Sequence, residues 1–342
     1  MSEIDPVLAN EMETGEPIPG FPVKFSWHKN YWFDLFQEQV ELIQRDIRRA
    51  RADGKLIVYL SCPISARGGG DQSTNVEIAK GVERRLLSQW GERFWILNPA
   101  QYQMESKEGS GLIQHHAKAL NLDLDKLKAL TTDHRPSGGD YMRMWTRVLV
   151  EDAPYFDDQV PSGLKNTGQH FDAFYFLGPK DIYDFFAKGG ETTLTAGIEG
   201  HFARKFATDP DFRDTYSSNV IVWRNGWQDD KNLTREDRQL QQSARHQWAD
   251  LRRQYVRFYA LRASINFSLG SHDEWEIFRQ INLLRRKALE KGDNLGVAEQ
   301  LGGFFDQSQI DPAAAEAPLS RGYAVQLPAQ APSPAGLAER GS

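Results

Sequence analysis

The sequence predicts an α/β fold: a parallel sheet with helices on both faces, followed by a helical C-terminal region. Two observations carry this. Short apolar runs alternate with longer segments of helical period, the order that builds parallel sheets covered on both sides. The first of these runs, "LIVYLS" at residues 56–61, is apolar at nearly every position, as suits a strand buried on both faces.

Taken in order, "YWFDLFQEQVELIQRDIRRARADGK" reads as an amphipathic helix that ends at Gly54 and feeds the first strand. Then come the helix "NVEIAKGVERRLLSQWG", the strand "RFWILNP", the helix "DYMRMWTRVLVED" and the strand "FDAFYFLGP". A helix around residues 194–206 and the strand "NVIVWRN" complete the alternation. Residues 101–139 and 153–170 read as insertions. The chain divides into a mobile tail (1–22), an α/β domain (23–228), a helical region (229–310) and an Ala/Pro-rich tail (311–342) whose composition lacks an apolar period. The helical region is expected to be a cap or the surface of a homo-oligomer.

Composition narrows the function. The 342 residues are 40% hydrophobic and 26% charged, ordinary for a soluble globular chain, and the net charge of -6 argues against a nucleic-acid backbone as main partner. One cysteine, Cys62, cannot form an internal disulfide, which points to a reducing cytoplasm. There is no basic segment followed by an apolar run at the N-terminus and no apolar stretch of spanning length, so neither export nor a membrane is expected. His115 and His116 are adjacent and point apart on a helix, without a further ligand motif, and Cys62 lacks an identifiable base; neither a metal nor another cofactor is expected.

Chemistry is expected at the carboxyl ends of the strands. After the first strand, "SCPISARGGGDQSTN" joins Ser65 and Arg67 to Gly68, Gly69 and Gly70, whose backbone N–H groups are open to a phosphate or sugar oxygen. Thr74 and Glu77 stand at capping-box spacing and place a helix N-terminus beside them. The loop contains neither GxGxxG nor a P-loop lysine. Further on, Leu194, Ile198 and Phe202 form a helical apolar stripe with Glu199 beside it. No Lys or Arg occupies 195, 196, 202 or 203, so Glu199 is expected to be a carboxylate without a partner on its own helix.

Together "VYLSCPIS", "RGGGD", "FDAFYFLGP" and "TLTAGIEG", over residues 55–224, resemble the nucleoside 2-deoxyribosyltransferase superfamily, including its nucleotide N-glycosidases. The resemblance implies a flavodoxin-like sheet and cleavage or transfer at the N-glycosidic bond of a nucleoside or nucleotide. It implies Glu199, in Gly197-Ile198-Glu199, as nucleophile, Tyr59 as its first-strand partner, and Thr193 with the glycine loop in substrate binding. The family's aspartate falls on Asp140 or Asp172. Two other functions fit the same pattern. A TIR-like NAD-cleaving enzyme shares a parallel sheet and a helix glutamate, and a catalytically silent nucleotide-binding or scaffold protein would use the helical region as its working surface.

Overall fold

In the computed structural model, the apolar run 56–61 becomes an interior strand of a five-stranded sheet. The structure describes residues 11–325 except 66–68, 105–108, 120, 122, 124, 126–127, 129–130, 132–134, 152–165, 188–192, 218–233, 266–267, 293–299 and 317–321. The chain forms two units, Met1–Pro63 with Glu83–Phe176 and Ser268–Ser342, and Ile64–Val82 with Leu177–Phe267.

The first unit opens with the hairpin of β1 (Met12–Gly15) and β2 (Phe25–His28). Helix α1 (Tyr31–Ala52), capped by Asn30 accepting from the Trp32 N–H, leads into β3 (Leu56–Ser61). Helix α2 (Gln72–Trp90) begins in the second unit and ends in the first, before β4 (Phe94–Leu97). A 3-10 turn (Pro99–Gln101), α3 (Gly109–Ala119) and α4 (Gly138–Val150) precede β5 (Ala173–Phe176).

The second unit then adds α5 (Pro179–Ala187), α6 (Leu194–Thr208), α7 (Pro210–Ser217) and α8 (Arg235–Arg262). The chain re-enters the first unit as α9 (Leu269–Glu290), β6 (Gly302–Phe305), β7 (Ser308–Gln309) and α10 (Pro312–Ala315).

The sheet order is β4-β3-β5-β6-β7, with β4, β3, β5 and β6 parallel and β7 antiparallel. Tyr59 lies opposite Phe174 and Ser61 opposite Phe176. Because side chains alternate along a strand, Tyr59, Phe174 and Phe176 share one face, where Trp145 of α4 and Phe278 and Trp275 of α9 meet them. Tyr175 points to the other face, against Trp90 and Arg85 of α2. Helices therefore cover both faces of the sheet. Burying each Phe of this core stabilises by about 1.5–3 kcal/mol.

The described residues of the second unit form helices held by Phe186, Ile198, Phe202, Phe212 and Tyr255, all buried. The stripe read from Ile198 and Phe202 is its core-facing side, and the two rings of Phe202 and Tyr255 meet at 5.1 Å.

Several expectations are corrected. The segments read as mobile tails pack where they are described: Ile18 and Phe21 are buried, Ala324 is buried, and the Val325 N–H donates to the Lys24 carbonyl. Their apolar residues are too few to show a period, yet each fills a fixed position. The region 229–310 is not wholly helical, because β6 returns to the parallel sheet. The strand expected at 219–225 lies outside the described residues. No helix among the described residues is long and apolar enough to cross a membrane.

Candidate functional site

The parallel strands reverse their order of addition between β3 and β5: the chain goes from β3 outward to β4 on one side, then to β5 on the other. In such sheets the crevice outside the carboxyl ends of the two strands at that point is where ligands bind. Ser61 is the last residue of β3, and Tyr59, two residues earlier, projects from the same face. Both reach one carboxylate. The Tyr59 hydroxyl donates to Oε1 of Glu274 at 2.5 Å, and the Ser61 hydroxyl donates to Oε2. Glu274 sits in the second turn of α9, whose N-cap is Ser268.

Tyr59, Ser61 and Glu274 are all buried. Burial drives the Glu274 carboxyl up to about 7; the two hydroxyl donors pull it down and the neighbouring Asp273 raises it further. Burial and then the Glu274 charge hold the Tyr59 phenol well above its ordinary range, so it stays a proton donor in its bond to Glu274. Asp273 is pushed up to about 6 by burial, against backbone donation from Tyr323, Ala324 and Gly322. The result is a carboxylate fixed by two hydroxyls, with its ionisation poised near neutrality.

The other expected residues fall elsewhere. Asp140 is the N3 residue of a capping box at the start of α4: its Oδ2 accepts from the Ser137 N–H and hydroxyl at 2.7 Å each. Its remaining capacity goes to His28, through the backbone N–H and Nδ1 at 2.7 Å each. Asp172 lies at the amino edge of the sheet, accepting from the Ile57 N–H at 2.7 Å and pairing with Arg51 at 2.9 Å. Neither aspartate belongs to the Tyr59 cluster.

Ser65, Gly69, Gly70, Thr193 and Glu199 belong to the second unit, while Arg67 and Gly68 lie outside the described residues. The Thr193 hydroxyl caps α6 by accepting from the Ala196 N–H. The Ser65 carbonyl accepts from the Asn75 amide. Helix α2 starts earlier than the Thr74/Glu77 spacing implied, because Asp71 takes the capping role and accepts from the Thr74 N–H at 2.6 Å. That carboxylate occupies a first-turn donor that an anion would need. Gly69 is at φ +107°, and a Cβ on Gly70 would stand 2.3 Å from the Phe258 ring, so this second glycine is required by packing on α8.

Glu199 is not unpaired. Arg252 of α8 meets it at 2.9 Å, a partner that sequence spacing along α6 cannot show. The pair lies in an open groove of about 450 Å³ lined also by Arg253, Val256 and Arg257, to which neither Ser65 nor Gly69 contributes. Gly197, read as half of a Gly-x-Glu pattern, packs so closely that a Cβ would lie 2.3 Å from the Phe186 carbonyl oxygen.

The second unit also holds a polar chain absent from the sequence reading. His201 links Glu77 at 3.1 Å to the Tyr255 hydroxyl at 2.8 Å, and Tyr255 continues to Thr74 at 3.0 Å. Burial pulls the Glu77 carboxyl up, but hydrogen bonds from His201 and Lys205 win and hold it below the ordinary range.

In comparisons with known proteins, no family model, curated protein or solved structure matches this chain.

Proposed function

We propose that the protein cleaves or transfers the N-glycosidic bond of a nucleoside or nucleotide, with Glu274 as the carboxylate beneath the sugar. The reading rests on one observation: Tyr59 and Ser61, at the carboxyl end of the first parallel strand, hold Glu274 between two hydroxyl donors. The order of the four parallel strands, second-first-third-fourth, supports a flavodoxin-like sheet with this cluster at its switch point.

The chemistry follows from the bond. As the anomeric carbon separates from the base nitrogen, the bonding pair leaves with the base, which takes up a proton, and positive charge grows on the carbon and ring oxygen. An ionised Glu274 stabilises that charge or bonds to the carbon, and water or a second base then accepts the sugar. Tyr59 and Ser61 fix the carboxylate's orientation. Glu274 also keeps the relation expected of the superfamily, a glutamate on a late helix answering a tyrosine on the first strand. It departs in lacking a glycine two residues before it, where His272 stands. Glu199, paired with Arg252, is less suited to face a developing cation. A cytoplasmic setting accords with the single cysteine.

The test is incubation with nucleosides, their monophosphates and NAD, followed by chromatography for free base, using the parent, Glu274→Gln and Glu199→Gln. The expected result is base release that falls at least about a hundredfold in Glu274→Gln, on the order of 3 kcal/mol of transition-state stabilisation, and stays within a few-fold in Glu199→Gln. The reverse ranking would return the role to Glu199. Release of nicotinamide alone would favour the NAD-cleaving reading, and release of nothing would favour a silent binding protein.

A further inference from the structure

A second groove lies in the first unit, about 480 Å³ in volume, where α1, α3 and α4 meet. It is lined by polar and charged residues alone: Arg45, Arg48 and Arg147, Glu38 and Glu41, and Gln37, Gln44 and His115. Its volume is within the range of small-molecule sites, but its lining is unlike the mostly apolar walls those sites usually have, so a matching occupant must itself be polar.

Gln44 sets this groove apart from a solvated helix face. The residue is 3% exposed, and its Nε2 is buried without a hydrogen-bond partner. Buried amide donors are satisfied in folded proteins, and one left open costs stability. The nearby Gln39 amide shows the ordinary case, donating to the Tyr102 carbonyl and accepting from His116. Gln44, five residues further along α1, has a donor to give, and the residue lines a groove rimmed by guanidinium groups.

We infer that this groove binds a small phosphorylated polyol, its phosphate taken by Arg45, Arg48 and the Gln44 amide and its hydroxyls by Glu38 and Glu41. Arginine forks and an amide N–H all donate, and a phosphate monoester presents three accepting oxygens with nearly two negative charges. Carboxylates on the same rim repel a bare anion but accept from hydroxyls, which selects a ligand carrying both. The site is independent of the Glu274 chemistry.

The test is thermal melting of the full chain with 10 mM glucose 6-phosphate, ribose 5-phosphate or glycerol 3-phosphate at fixed ionic strength, with inorganic phosphate and free glucose as separate arms. At least one sugar or polyol phosphate is expected to raise the melting temperature by about 2 °C or more, as a dissociation constant near or below 1 mM requires. Inorganic phosphate and glucose are expected to do less. Gln44→Met removes the open donor at nearly constant volume, so without ligand it is expected to melt at or above the parent temperature, while the ligand shift disappears. No shift with any of the three phosphates overturns the proposal. So does an equal shift with inorganic phosphate, which marks general anion stabilisation, or a Gln44→Met chain that melts lower yet keeps the parent's ligand shift, which marks a structural amide.

Discussion

Glu274 carries an electrostatic cost that can be measured apart from any activity. Its folded carboxyl titrates near 7, above the ordinary 4.5, chiefly because burial disfavours the charge. A group raised in this way leaves stability intact below about 4.5 and removes it as pH rises through 7, at a cost of about 3 kcal/mol when fully ionised. Asp273, pushed up to about 6, adds in the same direction. His116 opposes them: burial, then the charges of His115 and Arg45, hold it down to about 4, so it takes stability away as pH falls from 6.5 toward 4. Glu274→Gln is therefore expected to raise stability at pH 8 by on the order of 2 kcal/mol and to change it little at pH 4.5, read by urea denaturation at both values. An equal effect at the two pH values would show that Glu274 is not buried as a charge. If it is the reacting carboxylate, base release by the parent also climbs with pH through about 7, since only the ionised form meets the cation.

At the scale of elements, glycines decide where helices can approach. Gly197 lets α6 lie against the Phe186 carbonyl of α5, and Gly303 of β6 would place a Cβ 2.8 Å from the Phe278 ring of α9. Gly197→Ala improves helix propensity by about 1 kcal/mol yet forces the two helices apart. The expected balance is a loss of about 1–3 kcal/mol, measured by denaturation, because the obstacle is backbone. A gain would mean that the approach is looser than 2.3 Å implies. The same contacts explain what the sequence made legible. The run "LIVYLS" announces β3 because a central parallel strand must be apolar on both faces. β6, "GGFF", does not announce itself, since two glycines weaken any strand pattern, and Gly303 is kept small by the Phe278 ring and Ile310 packed against it. Gly197 and Glu199 resembled a motif, but Gly197 is needed for packing and Glu199 has its cation on another helix.

At the scale of the whole molecule, the chain leaves the sheet after β5, builds most of the second unit, and returns through α9 and β6. Tyr59 and Glu274 are 215 positions apart, so no local pattern could join them; "DEWEIFRQINLLRRKALEKG" reads only as a charged helical segment. Segments beyond the alternating core are likewise hidden from periodicity while adding to it in space. Before β2, Phe21 is 0% exposed and Ile18 5%, and the Phe21 N–H donates to the Ile18 carbonyl. Each such side chain stabilises by about 1.5–3 kcal/mol when fully buried, so deleting residues 1–22 should cost at least about 3 kcal/mol. In a chain of this size that lowers the melting temperature by about 4 °C or more. Phe21→Ala alone should account for about 3 kcal/mol or more of the loss, through the cavity left behind. Scanning calorimetry of the deletion and the point variant checks both; a deletion that melts with the parent would return these residues to the status of a tail, whereas a matched loss in both fixes Phe21 as the anchor of the N-terminal segment on the core.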